Sequence, residues 1–418
     1  MSQTSLWRDR EFVKLLTGQA ISQVGSRITR TALPFAAVLV LGAGPFQMGL
    51  LSGAAAASVL LFGLFAGAWA DRLRRRPILI VADLGRAVVL ASVPLAALRG
   101  TLTMGQLYVV AGRTGLFTVM FDVSYQAYVP SLVQREQLVQ ANAKLALSES
   151  VAEVSGPGIA GFLVTALTAP VAIAFDALSF LVSAVSIALV RRPEPPPAER
   201  GDTHMLEEIR DGLRFTWRNP YLRPMALRTA TAALFMGFFG SLYPLFTVKT
   251  LGLAPSVIGV VISLGGAFAL AGAWLSERLV QRLGIGIAFL GAVLFTNFTT
   301  FLHPMAHGSV VLCCVFLGAG QLGDFAWPTV VVTETSLRQA VAPPEVLGRV
   351  NSAMNLMFNG IIPIGAFLGG ALAEVIGVRE AMFVGGGGYA LSTLWLVFSP
   401  VRHLRELPAT NAATSGVT

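Results

Sequence analysis

Twelve apolar stretches divide the chain, and each is long enough to cross a lipid bilayer as a helix. A helix needs about 20 apolar residues to span roughly 30 Å of hydrocarbon. Charged residues make up only 12% of the 418 residues, about half of their usual share in soluble domains. The pattern therefore predicts an all-α membrane protein with spans near 14–41, 46–70, 77–98, 104–129, 141–167, 170–190, 224–249, 255–276, 284–302, 309–334, 347–376 and 381–399.

Basic residues between these spans predict the orientation of the chain. If both termini are cytoplasmic, the inner segments hold 23 Lys and Arg residues and the outer segments hold three. Because Lys and Arg accumulate on the cytoplasmic side, we expect a multi-pass protein of the inner, cytoplasmic membrane with both termini inside. The net charge of +8 lies in these short clusters, which favours contact with a membrane surface over contact with nucleic acid.

The two halves of the sequence repeat one another. Gly156 and Gly161 of the fifth span recur as Gly365 and Gly370 in the eleventh, in both cases 209 positions later. Such a duplication is typical of transporters whose halves move around a central site. We therefore predict two pseudo-symmetric six-helix halves, the first at 1–190 and the second at 221–400. A cytoplasmic linker at 191–220 would join them, and a cytoplasmic tail would follow at 401–418.

The linker combines a proline run with a segment of mixed charge. In its second part, apolar residues recur at helical spacing, at Met205, Ile209, Leu213 and Trp217. This spacing predicts an amphipathic helix that lies on the inner membrane surface. A solvated linker helix is the alternative.

The loop after the second span carries a motif that runs from Gly67 through Asp71 and Arg72 to Arg75 and Arg76. It resembles the G-x-x-x-D-R-x-x-R-R signature of the major facilitator superfamily. The glycine allows a neighbouring helix to approach closely, and the aspartate is favourable at the N-terminus of another helix. The resemblance implies the major facilitator fold, in which twelve transmembrane helices form two six-helix halves.

We expect this motif to form an inner gate with two further charged residues. Asp122 of the fourth span is expected near the inner edge, level with Arg75 and Arg76, which favours a gate pair over the alternative of a proton site. Arg349 stands at the start of the eleventh span. In the family, the loop clasps that helix when the protein faces outward.

Further stretches resemble one branch of the superfamily, the enterobactin-exporter and macrolide-efflux-like transporters. They are ISQVGSRITRTALP, ADLGRA, FDVSYQAYVPSLV, DALSFLVSA and LRQAVAPPEVLGRVNS. Gly156, Pro157 and Gly161 of the fifth span resemble the G-P-x-x-G-G motif of proton-coupled exporters. An ordinarily packed helix with a proline kink is the alternative.

Ionisable side chains lie inside several spans, where they are unfavourable and usually functional. At 1.5 Å per residue, Arg27, Arg113 and Glu153 are expected at similar depth, so either arginine can meet Glu153. Arg30 is expected to meet Asp176. Buried structural ion pairs are the alternative. The candidates for proton coupling are Glu153, Glu149 and Asp176, and those for the cavity or substrate are Gln23, Arg27, Arg30, Arg113 and Asp324.

These features favour a secondary active transporter that exports an amphipathic small molecule in exchange for protons, by alternating access. An importer or facilitator on the same fold is the first alternative, and a membrane receptor or scaffold is the second. No ATP-binding loop, metal cluster or Ser/His/Asp group is evident, so we expect no enzyme activity, no cofactor and no metal. His303 and His307, which flank Pro304 in an outer loop, are not expected to form a metal site. The expected partners of a monomeric chain are its substrate, protons and the lipid bilayer.

The variant Asp71→Asn tests the inner gate. Loss of this charge should weaken the outward-facing state, so we expect slower transport with nearly normal expression and membrane insertion. Transport by membrane vesicles, normalised to the amount of inserted protein, measures the effect. Full transport by the variant would show that the motif serves topology alone.

Overall fold

The computed structural model describes residues 6–72, 74–192, 194 and 205–408, without the side chains of 59, 62–72 and 205–209. All regular elements within these ranges are helical. The helices are α1 (Arg10–Phe35), α2 (Pro45–Arg72), α3 (Arg75–Leu98), α4 (Met104–Leu132), α5 (Leu138–Ala166), α6 (Ala169–Ala188), α7 (Met205–Arg218), α8 (Leu222–Leu245), α9 (Pro255–Leu283), α10 (Ile285–Thr300), α11 (Leu302–Met305), α12 (Val310–Gly320), α13 (Gly323–Val341), α14 (Pro344–Ile376), α15 (Val378–Leu391) and α16 (Leu394–Val397).

Each predicted span overlaps one helix or two consecutive helices. Within the described residues, seven stretches are long and apolar enough to cross a membrane. Neither α1 nor α5 is among them, since α1 carries Arg27 and Arg30 and α5 carries Glu149 and Glu153. The multi-pass character is therefore confirmed, whereas the number of twelve spans stays a prediction.

The chain forms two compact units, each with its own apolar core. The first core includes Phe12 and Tyr128, and the second includes Phe289 and Leu337. Both α2 and α9 are divided between the units. The first unit comprises 1–43, 54–201 and 254–263, and the second comprises 44–53, 202–253 and 264–418.

In the first unit, α5 approaches the start of α9 very closely. A Cβ atom on Gly161 would overlap the carbonyl oxygen of Pro255 and would lie 3.1 Å from the Cα of Gly259. Nearby, the backbone N–H of Ser256 donates to the Thr165 Oγ1 over 2.9 Å. Two backbones come this close only where side chains are absent. Gly161 therefore sets the distance between the two helices.

The second unit repeats this arrangement between α14 and the start of α2. A Cβ atom on Gly370 would lie 2.6 Å from the carbonyl oxygen of Pro45 and 3.0 Å from the Cα of Gly49. The backbone N–H of Phe46 donates to the Glu374 Oε1 over 3.2 Å. Each of these residues stands 209 or 210 positions from its counterpart in the first contact. The sequence repeat thus extends to individual contacts.

The predicted linker helix is present as α7, but it packs on protein along part of its length. Gly212 is buried, and a Cβ atom there would overlap the backbone carbonyl of Arg349 at the start of α14. The Asp211 Oδ2 lies 3.7 Å from the Arg349 Nη1. The side chains of Met205 and Ile209 lie outside the described residues. The prediction of a helix is confirmed. The surroundings predicted for it were the inner membrane surface or solvent, and neither prediction included this contact with α14.

The tenth predicted span is interrupted. Helix α12 ends at Gly320 and α13 begins at Gly323, so the segment between them lies inside the span. The ring of His303 fills the space beside Gly320, where a Cβ atom would lie 2.5 Å from the His303 Cε1. The outer-loop prediction for His303 is wrong, because this residue lies in α11 and is only 9% exposed. Its Nδ1 lies 3.2 Å from the carbonyl oxygen of Thr300.

The close contacts predict the effect of larger side chains at Gly161 and Gly370. Gly161→Leu and Gly370→Leu should each destabilise the protein by about 1–3 kcal/mol, because overpacking forces the backbones apart. Thermal unfolding in detergent measures the loss. Gly291→Leu is the matched control, since nothing lies within 4 Å of a Cβ atom at Gly291. Equal melting temperatures for all three variants would contradict this account of the packing.

Candidate functional site

One face of α1 carries polar and charged side chains. Gln23, Arg27 and Arg30 follow one another at spacings of four and three residues, so they lie on the same face. The side-chain oxygen of Gln23 is buried and has no hydrogen-bond partner among the described residues. Arg30 is near enough to Arg27 and Glu153 to interact with both electrostatically. This face therefore concentrates positive charge within a helix of the first unit.

Helix α5 supplies two carboxylates to this positive charge. The Arg27 Nη2 lies 2.7 Å from the Glu153 Oε2 and 3.5 Å from the Glu149 Oε1. The Arg27 side chain is 22% exposed, whereas that of Glu153 is 45% exposed and that of Glu149 is 63% exposed. Of the two arginines expected to meet Glu153, the structure brings Arg27 to it. Both acids are therefore only partly covered by the rest of the chain.

The exporter-like motif on α5 positions this pair. Gly156 is buried one turn after Glu153, and a Cβ atom there would overlap the Arg27 side chain. The missing side chain lets α1 lie directly against α5 at this level. Pro157 has no N–H to donate to the carbonyl of Glu153, the residue four positions earlier. The motif thus removes both a side chain and a backbone hydrogen bond next to the acid.

Asp176 lies apart from Arg30, so the predicted pairing of these residues is wrong. Asp176 is 1% exposed, and its Oδ1 accepts a hydrogen bond from the Ser179 Oγ over 3.0 Å. A Cβ atom on Gly25 of α1 would overlap this carboxylate. The reason is rotational: Gly25 faces α6, while Arg27 and Arg30 face away from it. The cation that acts on Asp176 electrostatically is Arg86 of α3.

Arg86 also forms an ion pair inside the first unit. It pairs with Asp83, three residues earlier on α3, and both side chains are almost fully buried. The guanidinium carbon lies 4.4 Å from the ring centroid of Phe121 and 4.1 Å from that of Phe180. The stacking and the carboxylate together stabilise a buried charge.

Arg113 does not meet Glu153. Its side chain is exposed and lines a cleft between α3 and α4 together with Val88 and Leu116. Within the described residues it forms no ion pair with a carboxylate, whereas Arg27 satisfies the acids of α5. The predicted pairing is wrong, because Arg113 faces the cleft towards α3.

The predicted pairing of Asp122 with Arg75 and Arg76 is likewise absent. Arg76 donates instead to the carbonyl oxygens of Ile187 and Ala188 at the end of α6. The Glu194 carboxylate accepts from the backbone N–H groups of Arg75 and Arg76, at 2.7 and 3.2 Å. These bonds tie the start of α3 to the end of α6 and to Glu194, so neither arginine pairs with Asp122. Asp122 is exposed and forms no ion pair within the described part of the chain.

The remainder of the gating motif falls on Gly67, Asp71 and Arg72, whose side chains lie outside the described residues. Its proposed counterpart Arg349 contacts Asp211 of α7 at 3.7 Å, and both side chains are more than one third exposed. An exposed pair at that distance is weak. The clasp between the motif and α14 stays a prediction.

The second unit contains an ion pair that the sequence did not indicate. The Arg228 Nη2 of α8 lies 2.5 Å from the Glu334 Oε1 of α13, and the Thr229 hydroxyl donates to the same oxygen over 3.1 Å. The Arg228 side chain is 4% exposed and that of Glu334 is 17% exposed. Arg228 follows a run of arginines that were predicted to be cytoplasmic, which concealed its position inside a helix bundle.

Asp324 lies at a break in the helical backbone of the second unit. It is the second residue of α13, directly after the interruption between α12 and α13. A Cβ atom on Gly265 of α9 would overlap its carboxylate. Interrupted helices commonly surround binding sites in transporters, so Asp324 stays a candidate for the cavity. In the described part of the chain, no group of three or more His, Cys, Asp or Glu side chains is arranged to hold a metal ion.

Comparisons with known proteins extend these observations. The model of the Major Facilitator Superfamily matches residues 15–364. Macrolide efflux protein A of Streptococcus pyogenes is 24% identical over 416 residues, which cover 97% of this chain and 99% of that protein. Enterobactin exporter EntS of Escherichia coli (strain K12) is 26% identical over 372 residues, which cover 87% and 86%.

A solved structure supports the fold. A bacterial homologue of the iron transporter ferroportin, in an inward-facing state, aligns with a TM-score of 0.76 and 20% identity. The alignment covers 94% of this chain and 99% of that one. At this identity, the likeness shows the fold alone.

The two ion pairs predict unequal losses of stability when the arginine is removed. Arg228→Met leaves the Glu334 carboxylate buried without a cation, which should destabilise the protein by about 3–5 kcal/mol. Arg27→Met leaves Glu153 in contact with water, so we expect about 1 kcal/mol or less. Both replacements keep an unbranched side chain. Thermal unfolding in detergent measures both losses, and equal melting temperatures would contradict the difference in burial.

Proposed function

The chain belongs to the Major Facilitator Superfamily, and on that premise we propose that it is a proton-coupled exporter of an amphipathic small molecule. Membership makes it a multi-pass membrane transporter of small molecules. The two relatives named above are an efflux protein and an exporter, which supports the outward direction. Because their names point to different substrates, the proposed substrate class is broad and includes drugs, siderophores and other natural products.

The contact between Arg27 and Glu153 carries this proposal. A guanidinium is permanently charged, whereas a carboxylate can bind or release a proton. Protonation of Glu153 would release Arg27, and loss of the proton would restore the ion pair at 2.7 Å. The 45% exposure of Glu153 leaves it accessible to protons and to a polar group of the substrate. A proton and a substrate can therefore compete for one site, which is what exchange requires.

The structure around the pair supports a coupling of this local event to helix movement. Gly156 holds α5 against α1, and Pro157 leaves α5 one hydrogen bond short at Glu153. A helix bends most readily where such a bond is missing. Further along, Gly161 holds α5 against α9. We propose that α5 transmits the state of Glu153 during alternating access, in which the halves rock about the substrate.

An importer or facilitator and a receptor or scaffold are the two alternatives. Facilitated diffusion on the same fold would need no proton carrier, and Arg27 with Glu149 and Glu153 would then bind substrate alone. An importer driven by protons would respond to a pH gradient in the inward direction. A receptor or scaffold would not exchange substrate at all. Two assays distinguish the three. Without a gradient, only a receptor or scaffold lacks substrate exchange, and under a pH gradient only the exporter responds in the outward direction.

The variant Glu153→Gln tests the proton carrier. Glutamine keeps the size of the side chain and a hydrogen bond to Arg27, but it does not titrate. In proteoliposomes loaded with a labelled macrolide or with enterobactin, whichever the wild type transports, we expect the variant to lose efflux driven by a pH gradient. Substrate counterflow without a gradient should remain.

Glu136→Gln is the matched control, because Glu136 is an exposed residue of the turn before α5 and does not belong to the candidate site. Its efflux should equal that of the wild type. Full response of Glu153→Gln to the pH gradient would show that Glu153 is not the carrier, and Glu149→Gln and Asp176→Asn would be examined next.

A further inference from the structure

A cleft with a volume of about 490 Å³ lies between α3 and α4 in the first unit. Val81, Leu84 and Val88 of α3 form one wall, and Leu116 of α4 contributes to the other. Among the lining residues, Arg113 alone is charged. The cleft is therefore an apolar groove that contains a single cation.

The exposure pattern of α3 indicates that this groove faces lipid. Val81, Leu84 and Val88 follow at spacings of three and four residues and are 56%, 43% and 71% exposed. Asp83 and Arg86, on the opposite face of α3, are buried within the unit. In a membrane, acyl chains cover an apolar helix face of this kind. A molecule dissolved in the bilayer can therefore reach the cleft from the side.

The position of Arg113 makes its charge unusual. Val88, on the facing wall, is 13 residues from the first residue of α3 and ten from the last, which places it about 20 and 15 Å from the two ends. A guanidinium at this depth is unfavourable without a partner. Arg113 forms no ion pair with a carboxylate of the described residues, unlike Arg27, Arg86 and Arg228. An anion from outside the chain would neutralise it.

We propose that this cleft binds an amphipathic carboxylate of the long-chain fatty acid type, taken up from the lipid phase. Its carboxylate would bind the planar guanidinium of Arg113, a geometry that favours two parallel hydrogen bonds. Its alkyl chain would lie on Val81, Leu84 and Val88. A phospholipid fits less well, because its phosphate is held at the membrane surface by a bulky polar headgroup. The proposal concerns binding and is independent of the proposed transport activity.

Equilibrium binding of radiolabelled oleate tests the proposal, with the full chain in nanodiscs of phosphatidylcholine. We expect saturable binding that Arg113→Gln weakens about tenfold or more, since a charge-assisted hydrogen bond is lost. Arg113→Lys should retain part of the affinity. Val88→Trp should reduce binding by filling the cleft while leaving the charge in place. Methyl oleate, which has no charge, should compete poorly.

Matched controls separate the cleft from general effects of charge and bulk. Arg99→Gln removes an exposed arginine just beyond the end of α3, and Leu98→Trp adds bulk at a position that is 83% exposed. Both should bind oleate as the wild type does. Unchanged binding by Arg113→Gln and Val88→Trp, or equal losses in the controls, would overturn the proposal. Displacement of oleate by phosphatidylglycerol at equal mole fraction would assign the cleft to phospholipid and would also overturn it.

Discussion

A charge inside a bilayer is stable only where another charge, a polar group or water meets it, and this requirement governs how α1 packs. Arg27 projects from α1 towards α5, so α5 presents Glu149 and Glu153 at the matching height. Gly156 then removes the side chain that would keep the helices apart. The ion pair therefore requires Gly156, because a side chain at that position would overlap Arg27. This is also why α1 and α5, the helices that carry the candidate site, lack the apolar character of most other spans.

The sequence predicted the features that depend on periodicity and depth. The apolar stretches predicted where helices form. Counting residues along α1 and α5 predicted that Arg27 can reach Glu153. The offset of about 209 positions anticipated that both halves would use glycines at equivalent places, and Gly161 and Gly370 do so. These properties are set by the local rise of a helix and by the repeat, so they need no knowledge of the tertiary structure.

The features that the sequence did not predict depend on helix rotation and on breaks. Arg113 was expected to meet Glu153 and Asp176 to meet Arg30, yet a turn of about 100° per residue directs their side chains elsewhere. Arg228 was counted among the arginines predicted to be cytoplasmic, whereas it pairs with Glu334 of α13. The break after Gly320 arises where the ring of His303 fills the adjacent space. Each of these outcomes is decided by a partner that is distant in sequence.

The paired glycine contacts restrict how this sequence can change during evolution. An ion pair such as Arg27 with Glu153 can in principle be exchanged, since reversal of both charges restores the attraction. A contact between Gly161 and Gly259, or between Gly370 and Gly49, offers no such exchange, because neither partner can become smaller to accommodate growth of the other. These four positions are therefore expected to tolerate drift less than the charged site. A duplicated ancestor would have carried this restriction into both halves at once.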